Sequence, residues 1–77
     1  MTIHIEIKLF ASLARFLPES ADEYAFESGE TIRDLLAQLR IPEETAKLIF
    51  IDGIRANPDT RLKGGERVGI FPPVGGG

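Results

Sequence analysis

Few residues of this chain carry side chains suited to chemistry, and their spacing assembles no catalytic set. The single histidine, His4, alternates with apolar residues in "TIHIEIKL". A polar residue in that register stands on the solvated face of a strand, and the run offers it no acid or base partner. Glu43 and Glu44 are adjacent, and adjacent helical residues point about 100° apart. They therefore read as a solvated helix start favoured by the dipole, not as a facing carboxylate pair. "LKGGE" at 62–66 has glycines and a lysine but lacks the G-x-x-x-x-G-K-[ST] spacing and opens no helix. Gly64-Gly65 before a strand reads as a tight turn. There is no cysteine, which removes thiolate ligands, thiol nucleophiles and disulfides together. Arg15, Arg55, Arg61, Lys63 and Arg67 are scattered cations that form no run.

The remaining chemistry lies at the end, "FPPVGGG", residues 71–77. Pro72 and Pro73 cannot continue a central strand, because proline donates no ladder hydrogen bond. They favour an extended path, and the six residues Pro72 to Gly77 reach roughly 20 Å. Gly75, Gly76 and Gly77 carry no Cβ, so their main chain can thread a channel too narrow for side chains. The reactive group at the tip is the α-carboxylate of Gly77. Ordering such an arm costs about 1–2 kcal/mol per residue, which an apolar patch at its base would offset on a partner. The alternative is a loose end without a role.

The rest of the chain must position that arm. A sequence of 77 residues is one domain, and one this short buries only about 60% of its unfolded surface. Ile3, Ile5, Ile7 and Leu9 alternate with His4, Glu6, Lys8 and Phe10, a strand with one buried face. Leu13, Phe16 and Leu17 are spaced for about one helical turn, closed by Pro18. Tyr24 and Phe26 share a face of a short strand, followed by a Ser28-Gly29 turn. In "TIRDLLAQLR", Ile32, Leu35, Leu36 and Leu39 make one helical stripe, with Thr31 and Asp34 placed as a capping box. Strands over 48–51 and 54–56 flank Asp52-Gly53 as a hairpin. Leu62 is the one core candidate in the loop that follows, and Arg67–Phe71 is the final strand.

The expected architecture is α+β, a four- to five-stranded sheet covered by one main helix. A globular part over 1–71 would carry a tail over 72–77. If the first and last strands lie side by side, parity puts Phe10 and Phe71 together on the outer face, at the root of the tail. The competing placement has Phe71 closing the end of the core. Two exposed rings beside Pro72, Pro73 and Val74 would form an apolar patch of the kind that marks partner surfaces.

The formal charge of −3 and pI near 5.0 argue against nucleic acid as partner. The alternating N-terminus is neither a signal-peptide core nor a membrane span, so no membrane partner and a cytoplasmic location are expected.

The ending "GGERVGIFPPVGGG" resembles that of the MoaD/ThiS group of ubiquitin-like sulfur carriers, and most closely its MoaD branch, the small subunits of molybdopterin synthase. That ending runs as a glycine turn, an acidic residue, a strand, FPPV and a terminal Gly-Gly. Here those are Gly65, Glu66, Arg67–Ile70, Phe71 to Val74, and Gly76-Gly77. "IKLFASLAR", residues 7–15, is similar to the group's first strand and following helix. Gly75 departs from the small non-glycine residue usual before the last two glycines.

The resemblance implies a β-grasp fold with a flexible Gly-Gly tail. It implies a carrier that is not itself an enzyme and binds no cofactor. A separate activating enzyme would spend ATP to adenylate Gly77, and a sulfur donor protein would supply the atom that makes a thiocarboxylate. In the MoaD branch the tail, through Gly75 and Gly76, enters a large catalytic subunit for molybdenum cofactor biosynthesis. Phe10, Phe71, Pro72, Pro73 and Val74 would bind the partner. Carriers for thiamine, tRNA thiolation, cysteine synthesis or protein conjugation share the Gly-Gly end. A β-grasp interaction module that is never activated is the remaining alternative.

Overall fold

The computed structural model describes residues 1–73 of the chain. Strand β1 runs over Thr2–Leu9, β2 over Tyr24–Glu27, β3 over Leu48–Ile51, β4 over Ile54–Ala56 and β5 over Arg67–Phe71. One α-helix, α1, spans Ile32–Leu39. The sheet has five strands in the order β2-β1-β5-β3-β4. The central pair, β1 and β5, is parallel, and the other three pairs are antiparallel.

Side-chain parity separates the two faces. Ile5, Ile7 and Leu9 of β1, Phe26 of β2, Ile49 of β3, and Val68 and Ile70 of β5 are buried on the helix side. Ile32, Leu35 and Leu36 of α1 close on them, with Leu13, Ile41 and Leu62 sealing the ends. Burying each such side chain stabilises by about 1.5–3 kcal/mol. No charged or polar residue is buried among those described.

The helix is held at its start by a complete set of acceptors. Thr31 Oγ1 accepts from the Asp34 amide at 3.2 Å, and Asp34 Oδ2 accepts from the Thr31 amide at 2.9 Å, the reciprocal capping box. The Ile32 and Arg33 amides donate to the carbonyls of Thr60 and Pro58 at 3.0 and 2.9 Å. The four donors at the helix start are thus all satisfied, and the loop before β5 is fastened to the helix. Because it accepts from Thr31, the Asp34 carboxylate titrates below its ordinary value.

The helical turn expected after β1 is a 3-10 helix over Ala11–Phe16. It buries Leu13, half-buries Phe16 and leaves Leu17 exposed. Leu17 is extended, as a residue before proline must be. Glu43–Thr45 is likewise a short 3-10 turn. Glu43 is more than a solvated helix start: it accepts from Arg33 Nε at 2.8 Å, and Arg33 also pairs with Asp59.

Candidate functional site

β1 and β5 deliver the two rings to one place. Leu9 pairs with Ile70 in the parallel register, so the next residues, Phe10 and Phe71, emerge on the outer face. Their rings stack with centroids 4.1 Å apart and planes within 2°. Phe71 therefore lies outside the core, half-buried, while Phe10 remains 40% exposed. Ala11, at φ 52°, turns the chain sharply after Phe10, and the Phe10 carbonyl accepts from the Leu13 amide.

A third ring completes the patch. Phe50 lies opposite Gly69 in the β3–β5 register, and its ring meets Phe71 edge-on at 5.8 Å and 85°. The sequence reading did not single out Phe50. The signal was present: with Asp52-Gly53 as a two-residue turn and Ile49 inward, parity sends Phe50 outward.

Between the rings lies an open groove of about 350 Å³, floored by Gly69 and flanked by Lys8 and Arg67. Glu6 joins these two cations, with Oε2 at 3.3 Å from Lys8 Nζ and Oε1 at 3.5 Å from Arg67 Nε. The Lys8 hydrogen bond, more than the charge of Arg67, holds the Glu6 carboxyl below its ordinary value. An aromatic surface with cations at its rim can seat an apolar side chain of a partner that also carries acidic groups.

The exit of the tail follows from the same ladder. The Phe10 amide donates to the Ile70 carbonyl at 3.2 Å, and the Lys47 amide to the Phe71 carbonyl at 3.0 Å. Two residues beyond Ile70, where the next β5 amide would face β1, stands Pro72, which has none. The sheet cannot continue along β5, and Pro72 is half-buried while Pro73 is exposed. Val74, Gly75, Gly76 and Gly77 lie outside the described residues.

The other candidates stay apart. His4 is exposed on β1. Glu66 uses both carboxylate oxygens, each at 2.7 Å, to accept the Lys63 and Gly64 amides, which explains an acid after the glycine turn. No cluster of three or more histidine or acidic residues suited to a metal occurs among the described residues. No helix among them is long and apolar enough to cross a membrane.

A parallel central pair, a single helix over one face and a ring-bearing outer face define a ubiquitin-like β-grasp protein. Residues 7–77 match the ThiS family, and the chain belongs to that family of ubiquitin-like sulfur carriers, small carriers and not themselves catalysts. Among solved structures it is similar to the HVO 2177 protein of Haloferax volcanii, with TM-score 0.76 and 22% identity, covering 99% of this chain and 88% of that one. It is also similar to a Pyrococcus furiosus protein proposed as molybdopterin converting factor subunit 1, with TM-score 0.65 and 28% identity, covering 94% and 99% of the two chains. A complex of subunits 1 and 2 of the molybdopterin-converting factor from Helicobacter pylori contains a similar chain, with TM-score 0.53, 23% identity and full coverage of both. Comparison with the curated proteins finds no match.

Proposed function

We propose that this chain is the small, sulfur-carrying subunit of a molybdopterin synthase, with residues 1–71 as the carrier body and 72–77 as its delivery arm, acting in the cytoplasm. The observation that carries this reading is the three-ring outer face of Phe10, Phe50 and Phe71, set where proline ends the β5 ladder. A docking surface at the root of the arm offsets the cost of ordering that arm inside a partner. The likeness to the Pyrococcus furiosus protein supports the molybdopterin branch. The Helicobacter pylori complex supports a large-subunit partner.

The chemistry follows from the end group. A carboxylate resists nucleophiles because it is already anionic. In the activating enzyme, Gly77 attacks the α-phosphorus of ATP, and pyrophosphate leaves. A hydrosulfide equivalent from the donor protein then displaces AMP and releases a proton, leaving a thiocarboxylate. Like a low-pKa thiolate, that group is ionised and nucleophilic at neutral pH. Val74 and Pro73 would guide the arm, and Gly75 and Gly76 would pass main chain alone into the large subunit's active site. The carrier supplies no acid, base or cofactor of its own.

The test is reconstitution. Incubated with a molybdopterin-branch activating enzyme, ATP and a sulfur donor, the chain should gain one sulfur in place of one terminal oxygen, and then support dithiolene formation by the large subunit. Sulfur loading without dithiolene formation would assign the carrier to another acceptor. No loading by any activating enzyme of the family would leave only the interaction-module reading.

A further inference from the structure

The cations that look scattered in the sequence converge at one sheet edge, beside the ring-bearing groove but outside its lining. β4 is an edge strand, joined to β3 by a turn with positive φ at both Asp52 and Gly53. A two-residue hairpin makes Ile51 and Ile54 the hydrogen-bonded pair, so Phe50 and Arg55 are the non-bonded pair. The amide and carbonyl of Arg55 therefore point away from β3, and neither has a partner among the described residues. Ile54, 72% exposed, lies beyond the cover of α1. With Ile51 and Ala56 it floors a second open groove of about 370 Å³, whose rim includes Arg55, Arg61 and Lys63.

The rim carries three cations against two carboxylates, Asp52 and Glu66, whose oxygens are engaged by backbone amides, while Arg61 Nη1 donates to the Gly29 carbonyl at 2.6 Å. Glu66 has both oxygens turned onto the Lys63 and Gly64 amides, and Asp52 Oδ1 accepts from the Arg67 amide at 2.9 Å. Arg55, Arg61 and Lys63 form no ion pair among the described residues. This basic edge belongs to a chain of net charge −3.

From this juxtaposition we infer that the β4 edge is a second docking surface, which binds an extended acidic segment of a partner protein by strand addition. The free Arg55 main chain would pair with the added strand. Apolar residues at alternate positions would sit on Ile51 and Ile54, and carboxylates between and beyond them would meet Arg55, Arg61 and Lys63. A second copy is the wrong occupant, since antiparallel self-pairing centred on Arg55 opposes two guanidiniums. Arg55 stands opposite Phe50, but Ile54, Arg55, Arg61 and Lys63 do not line the groove of the proposed sulfur-delivery role, so each can fail alone.

The test uses the full-length 15N-labelled protein and a short synthetic peptide alternating valine with glutamate, blocked at both ends. At low ionic strength, amide shifts should saturate at Ile54–Ala56 and Arg61–Lys63 and fade as salt screens the pair. A twin peptide with lysine for glutamate should leave the spectrum unchanged. Arg55→Glu with Lys63→Glu should weaken binding by at least about tenfold, while Phe71→Asp leaves it intact. If that double variant loses its native spectrum, Arg55→Gln with Lys63→Gln takes its place and should also weaken binding. Shifts centred on Phe10 and Phe71, an equal response to the lysine twin, no shifts, or dimerisation through β4 would each overturn the inference.

Discussion

Replacing Phe71 with aspartate separates a docking role from a core role by magnitude. The substitution removes the stack on Phe10 and the edge contact with Phe50 together. Each aromatic pair contributes about 0.5–1.5 kcal/mol beyond area burial. Half-burial of the ring adds roughly half of the about 1.5–3 kcal/mol of a full one, so the domain should lose about 2–4 kcal/mol. A phenylalanine removed from a true core costs about 3–5 kcal/mol, and a buried unpaired carboxylate would cost still more. Urea unfolding should therefore stay cooperative, with a lower midpoint and unchanged slope. Binding should suffer more. Truncating an aromatic anchor at an interface costs about 2 kcal/mol or more, which is about 30-fold in Kd. Calorimetry against the large subunit, and separately against the activating enzyme, reads that loss. A fully folded Phe71→Asp protein with undiminished affinity would refute the docking face. Loss of cooperative unfolding would return Phe71 to the core.

Thr31→Ala removes the side-chain half of the capping box and should cost about 1 kcal/mol, a fall of about 4–8 °C in Tm; an unchanged Tm would mean the cap is not stabilising. Asp34 has a depressed folded pKa, so its stabilisation is present above the ordinary 3.8 and lost as pH falls through the lower folded value. Carboxyl NMR should find Asp34 titrating below 3.8 in the folded chain and less far below it in Thr31→Ala, where the residue-31 amide still donates to the carboxylate. Gly64→Ala should destabilise by about 1–3 kcal/mol, because Gly64 sits at φ 121° and an added Cβ would come within 3.1 Å of Ile3. Gly69→Ala should keep the fold, since its Cβ would meet Phe10 at an ordinary 3.6 Å; equal losses at the two glycines would contradict this account of the turn.

What was legible in the sequence was local. The period of two in β1, the Asp52-Gly53 hairpin, the Thr31–Asp34 box and the helical stripe each carry their signal within a dozen residues. Parity extended that reach: it put Phe10 and Phe71 on one face before any pairing was known. Phe50 was harder, because β3 lies between two strands and its apolar run "LIFI" hides which residues turn outward. Arg40 ends α1 in the left-handed region where glycine is the usual choice. The Ile41 amide donates to the Leu36 carbonyl and Ile41 is buried, contacts that hold the turn in place. The convergence of Arg55, Arg61 and Lys63 depends on a loop fastened to α1 by backbone bonds, which composition cannot reveal. Because each ring approaches from a different strand, the ring-bearing face is a property of sheet order and not of any one segment.

The most direct measurement is intact-protein mass spectrometry of the chain isolated from its host, beside a variant lacking Gly77. The account predicts a fraction of the native chain with one terminal oxygen replaced by sulfur, and none in the truncated chain. A native chain that carries only oxygen at Gly77, even when its activating enzyme and sulfur donor are abundant, would contradict it.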